Sequence, residues 1–348
     1  MFRKRLDPRR LVADIHAGLD DTEIMDKYHV SRGQLRAVLK ELITRGELRE
    51  EDLDERKDRF FRKIRKLGII AMFSDDELMN HLVLKGGNAL DIAYSMEFRS
   101  SIDLDFSMEG KFNDDEIERV KTRTNECLKS TFRSQGYEVL DITFAERHPN
   151  VSPDMADFWG GYQIEYKLVR KSKRLELSEN VEASRRVAQE VGTSDRKTFR
   201  IEISKFEHCA PKREAELDHY TIFVYSHEQI VVEKVRSICQ QVPEYGQIVK
   251  SRSQSPRPKD FLDIYVVIKH FGIDLTTPEN LDLVRCSFES KRVPLRLIGR
   301  IRDYRDYHLG AFDAVKDTIY RGKDVKDFDF YFDYVVSECE KLKPLWEE

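Results

Sequence analysis

The sequence predicts an α+β protein: a mixed β-sheet flanked by helices in the middle of the chain, a small all-α unit before it and a helical domain after it. Three observations carry that prediction. Residues 9–50 place apolar side chains at helical spacing in short runs broken by turn residues. "SIDLDFSM" (101–108), "YEVLDITFA" (137–145), "YQIEYKLVR" (162–170) and "TFRIEISKF" (198–206) alternate or are rich in β-branched and aromatic residues, as strands are. From about 226 onward the pattern is mainly helical. The expected division is 1–50, a helical connector at 51–66, a mixed core at 67–225 and a helical C-terminal domain at 226–348.

In the first unit, Leu11, Val12 and Ile15 share one face, and "AGLDD" (17–21) breaks the pattern. Ile24, Met25 and Tyr28 mark a second short helix, and "HVS" (29–31) turns the chain. Ser31 is a good N-cap for a third helix carrying Leu35, Val38, Leu39, Leu42 and Ile43, which Gly46 stops. Helix, tight turn, helix is the helix-turn-helix pattern. Arg32, Gln34, Arg36 and Lys40 lie off the apolar face, so residues 31–45 are the expected place for contact with DNA or RNA, or for docking a protein. A plain helical docking module with solvated charges is the blander alternative.

Bulk properties narrow the class. Charged residues make up 36% of the chain, yet the net charge is only −4, so any basic surface must be local. "RKIRK" (62–66), "RKSKR" (170–174) and "KSRSQSPRPK" (250–259) are the basic stretches that could follow an RNA backbone, or could be solvated faces. The five cysteines are far apart and have no metal or redox spacing, which fits reduced thiols in a cytoplasmic protein. The basic start, "MFRKRLDPRR", runs into "LVADIHAGLDD", too charged for a signal-peptide core. "GIIAMF" (68–73) is far short of a membrane span, so no membrane partner is expected.

The stretch "LVLKGGNALDIAYSMEFRSSIDLDFSM" (82–108) carries the chemistry. Gly86 and Gly87 allow a tight turn with exposed backbone N–H groups, and "NALDIAYSM" (88–96) reads as a helix with Asn88 near its start. Backbone donors at a helix N-terminus bind phosphate oxygens. In "DLD", Asp103 and Asp105 point to the same side of a strand, with Cα atoms about 6.6 Å apart. Two carboxylates that close repel unless a cation sits between them. Ile102, Leu104 and Phe106 point the other way, into a core.

Gly-Gly, helix, Asp-x-Asp resembles the nucleotidyltransferase core of polymerase-β-type enzymes. The fuller string "KGGNAL … RSSIDLDF" is similar to the AbiEii/AbiGii-type toxin nucleotidyltransferases, the MenT-like group. Arg99, Ser101, Asp103 and Asp105 match the family's Arg-x-Ser-x-Asp-x-Asp, and Asn88 stands where the family usually has Ser or Thr. Later motifs match too. "HEQIVVEKVRSICQQV" (227–242) reads as a helix with Lys234 inside its apolar arc, between Ile230 and Ile238. In "RPKDFLDIYVVIKHFG" (257–272), Asp260 projects among Ile264, Val267 and Phe271, and Asp263 lies toward the polar side. The family's Lys-Asp-x-x-Asp motif favours Asp260 as the active residue.

The resemblance implies a metal-dependent nucleotidyltransferase using an NTP. Asp103 and Asp105 would hold Mg²⁺ or Mn²⁺, with Glu202 as a third carboxylate and Glu165 as its rival. Gly86 and Gly87, with Lys85 and Asn88, would cradle the β and γ phosphates. Arg99 and Ser101 would contact phosphate or orient the aspartates. Lys234 would neutralise triphosphate charge, and Asp260 would position or deprotonate the acceptor hydroxyl, or bind base or sugar. The resemblance further implies a toxin of a toxin–antitoxin or phage-defence system, an antitoxin partner, and an RNA acceptor such as the tRNA 3′ end. Two alternatives are a DNA-binding regulator with a nucleotide-sensing domain and a nucleotidyltransferase acting on a small molecule.

Overall fold

The computed structural model describes residues 7–347 apart from 100, 150–151, 179, 192–195, 251 and 321–322. Most of the basic start of the chain lies outside the described residues. The first unit is three helices: α1 Pro8–His16, α2 Asp21–Tyr28 and α3 Arg32–Thr44. Asp20 and Ser31 cap α2 and α3 through reciprocal bonds with Glu23 and Gln34. His29, with a left-handed φ of 51°, starts the three-residue turn between them. Leu11, Ile15, Ile24, Leu35, Leu39, Leu42 and Leu48 form a core separate from the rest of the chain.

The polar face of this unit is less free than the sequence suggests. Arg32 pairs with Glu190 of the main body, and the Gln34 side chain accepts from the Ser31 N–H at 2.8 Å. Of the four expected contact residues, Arg36 and Lys40 remain exposed. The unit also docks through α2: Asp20 and Glu23 hold Arg170, and Asp26 faces Lys173 at 3.8 Å.

The next helix, α4, runs unbroken from Glu50–Phe73. The charged connector expected at 51–66 is therefore the outer part of one long helix whose inner part, from Ile64, is core. Gly68 lets α4 close on the sheet, since a Cβ there would stand 2.6 Å from Leu104 Cδ1. Then follow α5 Asp76–His81, β1 Val83–Leu84, a one-turn helix α6 Gly86–Asn88 and a wider π turn Ala89–Ala93. The helix expected from Asn88 onward is thus shorter than its pattern suggests.

The middle of the chain continues with β2 Leu104–Ser107, α7 Asp114–Ser134, β3 Tyr137–Arg147 and β4 Gly161–Arg170. Short helices α8 Lys171–Glu176 and α9 Val181–Arg186 lead to β5 Phe199–Ser204, β6 Lys212–Leu217 and β7 Tyr220–Tyr225. The strands form one mixed sheet in the order β3-β4-β5-β2-β1-β7-β6. β2 runs parallel to β5 and antiparallel to β1, and β1 runs parallel to β7. The four strands read from patterning are all present. β1 is too short to show a pattern, and β6, "KREAEL", is a charged edge strand.

The C-terminal part carries α10 His227–Cys239, α11 Pro258–Phe271, α12 Pro278–Glu289, α13 Arg305–Leu309, α14 Phe312–Lys316 and α15 Phe328–Glu340. One continuous apolar cluster runs from Ile64 to Leu345, so sheet and C-terminal helices share a core. Each large side chain buried there contributes about 1.5–3 kcal/mol. Among the described residues no helix is long and apolar enough to cross a membrane.

The basic stretches are partly consumed inside the protein. Arg65 pairs with Asp91 at 2.8 Å, Arg170 with Asp20, and Arg257 with Asp260.

Candidate active site

The glycine turn and the acidic strand meet. Gly86 has φ +68°, a left-handed backbone that glycine adopts without strain. A Cβ on Gly86 would lie 3.4 Å from Asp105 Oδ2. One on Gly87 would lie 3.2 Å from Ser101 Cβ and 3.3 Å from Arg99 Nη2. The turn is therefore pressed against Asp105, Ser101 and Arg99, and side chains larger than hydrogen do not fit freely.

Asn88 and Lys85 are placed differently from the expectation. Asn88 is fully buried; its Nδ2 donates to the Asp103 carbonyl at 2.7 Å, and its Oδ1 accepts from Arg65 Nη1 at 3.1 Å. Arg65 also donates to the Ser101 carbonyl at 2.9 Å. Asn88 is a strut tying the turn to the start of β2. Lys85 turns inward: its Nζ donates to Ser204 Oγ at 3.1 Å and lies 3.5 Å from Glu207 and 3.8 Å from Glu233. Burial works against its charge, but Glu207 and Glu233 outweigh burial and hold the ammonium above the ordinary lysine value.

Asp105 and Glu202 stand side by side in the parallel register of β2 and β5, with Leu104–Ile201 and Phe106–Ile203 buried on the other face. Asp103 sits one residue before β2. Arg196 donates to it at 2.9 Å, and Arg147 donates to Glu202 at 2.5 Å. Glu165 is engaged by Arg200 at 2.8 Å. Asp105 accepts no side-chain hydrogen bond among the described residues. Burial raises its pKa above the ordinary value; Lys85 and Lys259 oppose the rise, and Glu202 and Glu233 add to it. Among the described residues no three metal-capable side chains are drawn into one coordination group. The donor chemistry still fits a hard divalent cation. Asp105 and Glu202 are neighbouring carboxylates on one face, Asp103 lies just before β2, and Asp103 and Glu202 are each engaged by an arginine.

Below this face, α10 and α11 bring together a buried charge cluster. Lys234 Nζ donates to Asp263 Oδ2 at 2.6 Å and to Asp260 Oδ1 at 3.1 Å. Arg99 grips Asp263 with two bonds, Nε to Oδ1 at 2.8 Å and Nη2 to Oδ2 at 2.7 Å. Arg257 Nε donates to Asp260 Oδ2. The reading of Asp263 as a polar-side residue is corrected: it is 5% exposed and holds two cations. The α11 pattern misled because a charge on an apolar helix looks outward-facing until its partners, far away in sequence, are known. Burial opposes ionisation of both aspartates, but Arg257 and Lys234 hold Asp260 well below the usual carboxylate range, and Arg99 and Lys234 do so for Asp263. The Arg257 N–H donates to His308 Nδ1 at 3.0 Å, and burial lowers the His308 pKa to about 4, so that ring is a neutral acceptor.

Several functional-looking residues escaped the sequence reading. Lys259 is exposed at the start of α11, close enough to Asp105 to affect its charge, and has no acidic partner at ion-pair distance among the described residues. Glu207 joins Lys85, Arg236 at 2.7 Å and Lys291 at 3.6 Å in a second buried cluster. Arg65 and Arg236 carried the same signal as Lys234, a cation on an otherwise buried helical arc.

Residues 68–334 match the profile of the family described as "Nucleotidyl transferase AbiEii toxin, Type IV TA system". A search of curated proteins finds no match. Among solved structures, the chain is similar to JHP933 of Helicobacter pylori, with 18% identity over 84% of this chain and 94% of that one, and a TM-score of 0.44. It is also similar to a candidate nucleotidyltransferase of H. pylori, with 16% identity over 84% of this chain and 96% of that one, and a TM-score of 0.43.

Proposed function

This chain belongs to the AbiEii nucleotidyltransferase toxin family and is a nucleotidyltransferase, and from that premise we propose metal-dependent transfer of a nucleotide from an NTP to RNA, at the tRNA 3′ end. Its biological setting in this reading is a toxin–antitoxin or phage-defence system. The observation that carries the reading is the contact of the Gly86–Gly87 turn with Asp105, which sets phosphate-binding backbone beside a carboxylate face.

Asp103 and Asp105 would hold a divalent cation, with Glu202 adjacent, and the cation would supply Lewis-acid neutralisation of the phosphates. The remaining work falls to the chain. The N–H groups around Gly86 and Gly87 receive phosphate oxygens, with Ser101 packed against the turn. Lys259 adds the exposed positive charge. Asp260 acts as an anchor rather than a base: it is 0% exposed, its pKa is depressed, and it holds Lys234 and Arg257. Asp263 does the same for Arg99 and Lys234. Arg99 of this cluster lies against the Gly87 turn, so the cluster's three cations, in excess of the two aspartates, would supply preorganised positive charge near the phosphates, as phosphoryl-type transfer requires. Of the four α3 contact residues expected from the sequence, Arg36 and Lys40 are the exposed cations left for nucleic acid.

The test is incubation with Mg²⁺, each labelled NTP in turn and total tRNA, with Asp105→Ala as control. Label entering tRNA only with the intact protein supports the reading. Label entering a small molecule without added RNA, or no transfer despite NTP binding, sinks it.

A further inference from the structure

A groove of about 840 Å³ lies away from the carboxylates, between α4, α7 and the turn joining β6 to β7. It belongs to the helical layer on the opposite face of the sheet: Gly68 of α4 packs on Leu104, and the Phe73 ring lies 5.8 Å from that of Phe106. Both contacts are on the side of β2 away from Asp105.

One wall of the groove is cationic. Arg59, Arg62, Lys63 and Lys66 of α4 line it over two helical turns, roughly 10 Å along the axis. Arg62 is held by Asp91 and Glu97, and Lys66 lies 3.4 Å from Asp218. Arg59 and Lys63 are exposed and have no acidic partner at ion-pair distance among the described residues. Arg59 Nη1 reaches the His16 carbonyl at 3.4 Å, so the groove begins at the N-terminal unit.

The other wall is hydroxylic. Ser130 and Ser134 of α7 donate their protons to the Cys127 and Thr131 carbonyls, at 3.1 and 2.8 Å. Both side chains line the groove, and while each donates to its own helix its oxygen is left to accept, as from a ribose 2′-hydroxyl. Tyr220, 43% exposed, offers an aromatic face at the rim for a base.

We propose that this groove is a second contact surface for the RNA acceptor, with Arg59 and Lys63 following the phosphates and Ser130 and Ser134 reading the ribose. The proposal rests on the RNA reading of the proposed function. Cations opposite acceptors, with an exposed ring at the rim, fit a ribonucleotide strand better than DNA, which lacks the 2′-hydroxyl.

The test is fluorescence anisotropy on the full chain, with a labelled 20-nucleotide single-stranded RNA, the DNA of the same sequence, and total tRNA as competitor. The Arg59→Glu/Lys63→Glu variant is expected to bind RNA roughly tenfold more weakly, with a salt slope shallower by about 1–2. NTP binding in that variant should be unchanged, which shows that the fold is intact. Ser130→Ala/Ser134→Ala should narrow the RNA preference over DNA. Unchanged RNA affinity in the charge reversal, with wild type binding RNA normally, overturns the groove and leaves the RNA reading standing. Equal loss for RNA and DNA, with no wild-type preference between them, overturns RNA as the occupant. No RNA binding by wild type overturns both.

Discussion

Replacing Lys234 by methionine tests whether the charge cluster under the site is structural as well as functional. Methionine fills the lysine stem's space between Ile230 and Ile238 and removes only the ammonium. Two bonds are lost, at 2.6 and 3.1 Å, between groups 5% exposed or less. Breaking a buried ion pair by removing one partner costs about 3–5 kcal/mol. Here Asp263 keeps Arg99 and Asp260 keeps Arg257, so the expected loss is near the lower end, about 3 kcal/mol. Urea unfolding at pH 7 measures it. The pH dependence has a definite sign. Both aspartates have folded pKa values below their unfolded ones, so their contribution is fully present above the unfolded value of about 3.9. It fades only as pH falls below that toward the depressed folded values. The gap between wild type and Lys234→Met should therefore hold from pH 8 to about 5. A loss under about 1 kcal/mol, or a gap that closes between pH 7 and 5, would refute a buried, fully ionised cluster.

Other outcomes follow from the same geometry. Asp105→Asn should abolish transfer yet raise the melting temperature near neutral pH, because the folded state resists ionising Asp105 and that penalty appears as pH rises above the unfolded carboxyl value. Mg²⁺ should stabilise wild type against heat and leave Asp105→Asn unmoved; equal shifts in both would place the cation elsewhere. Gly87→Ala should impair transfer well beyond its effect on urea stability, since its Cβ would displace Ser101 and Arg99 at the turn itself. Parallel losses in both readouts would make the glycine merely structural. His308 is neutral down to about pH 4 in the fold, while the unfolded imidazole takes its proton near 6.5. Stability should fall by about 3 kcal/mol as pH drops through that window, and His308→Gln, which keeps an acceptor for Arg257, should flatten the slope.

The parts of the site that were legible in the sequence were local in chain. A doubled glycine after a strand declares a tight turn, because few residues accept a φ near +68°. Alternation in "DLD" declares that Asp105 faces away from the Leu104 and Phe106 core, and its parallel pairing with Glu202 keeps that phase, whereas Asp103 falls just before the strand. Lys234 was detectable because an ammonium on an apolar arc requires a partner. Its partners were less legible: Asp260 and Asp263 both satisfy it, and periodicity along α11 pointed to one of them alone.

What the sequence by itself determined was the α+β class, the four patterned strands, the three N-terminal helices with the Ser31 cap, and the glycine–aspartate pair, all set by backbone preferences within a few residues. Only the tertiary structure decided how charges are used. It turned Lys85 toward Glu207, made Asn88 a strut to Arg65, gave Asp263 to Arg99 and, among the described residues, left Arg59, Lys63 and Lys259 without an acid at ion-pair distance. Net charge and spacing cannot foresee this, because a buried ion must be matched by whichever opposite charge the packed fold brings within a few ångströms, often from more than a hundred residues away.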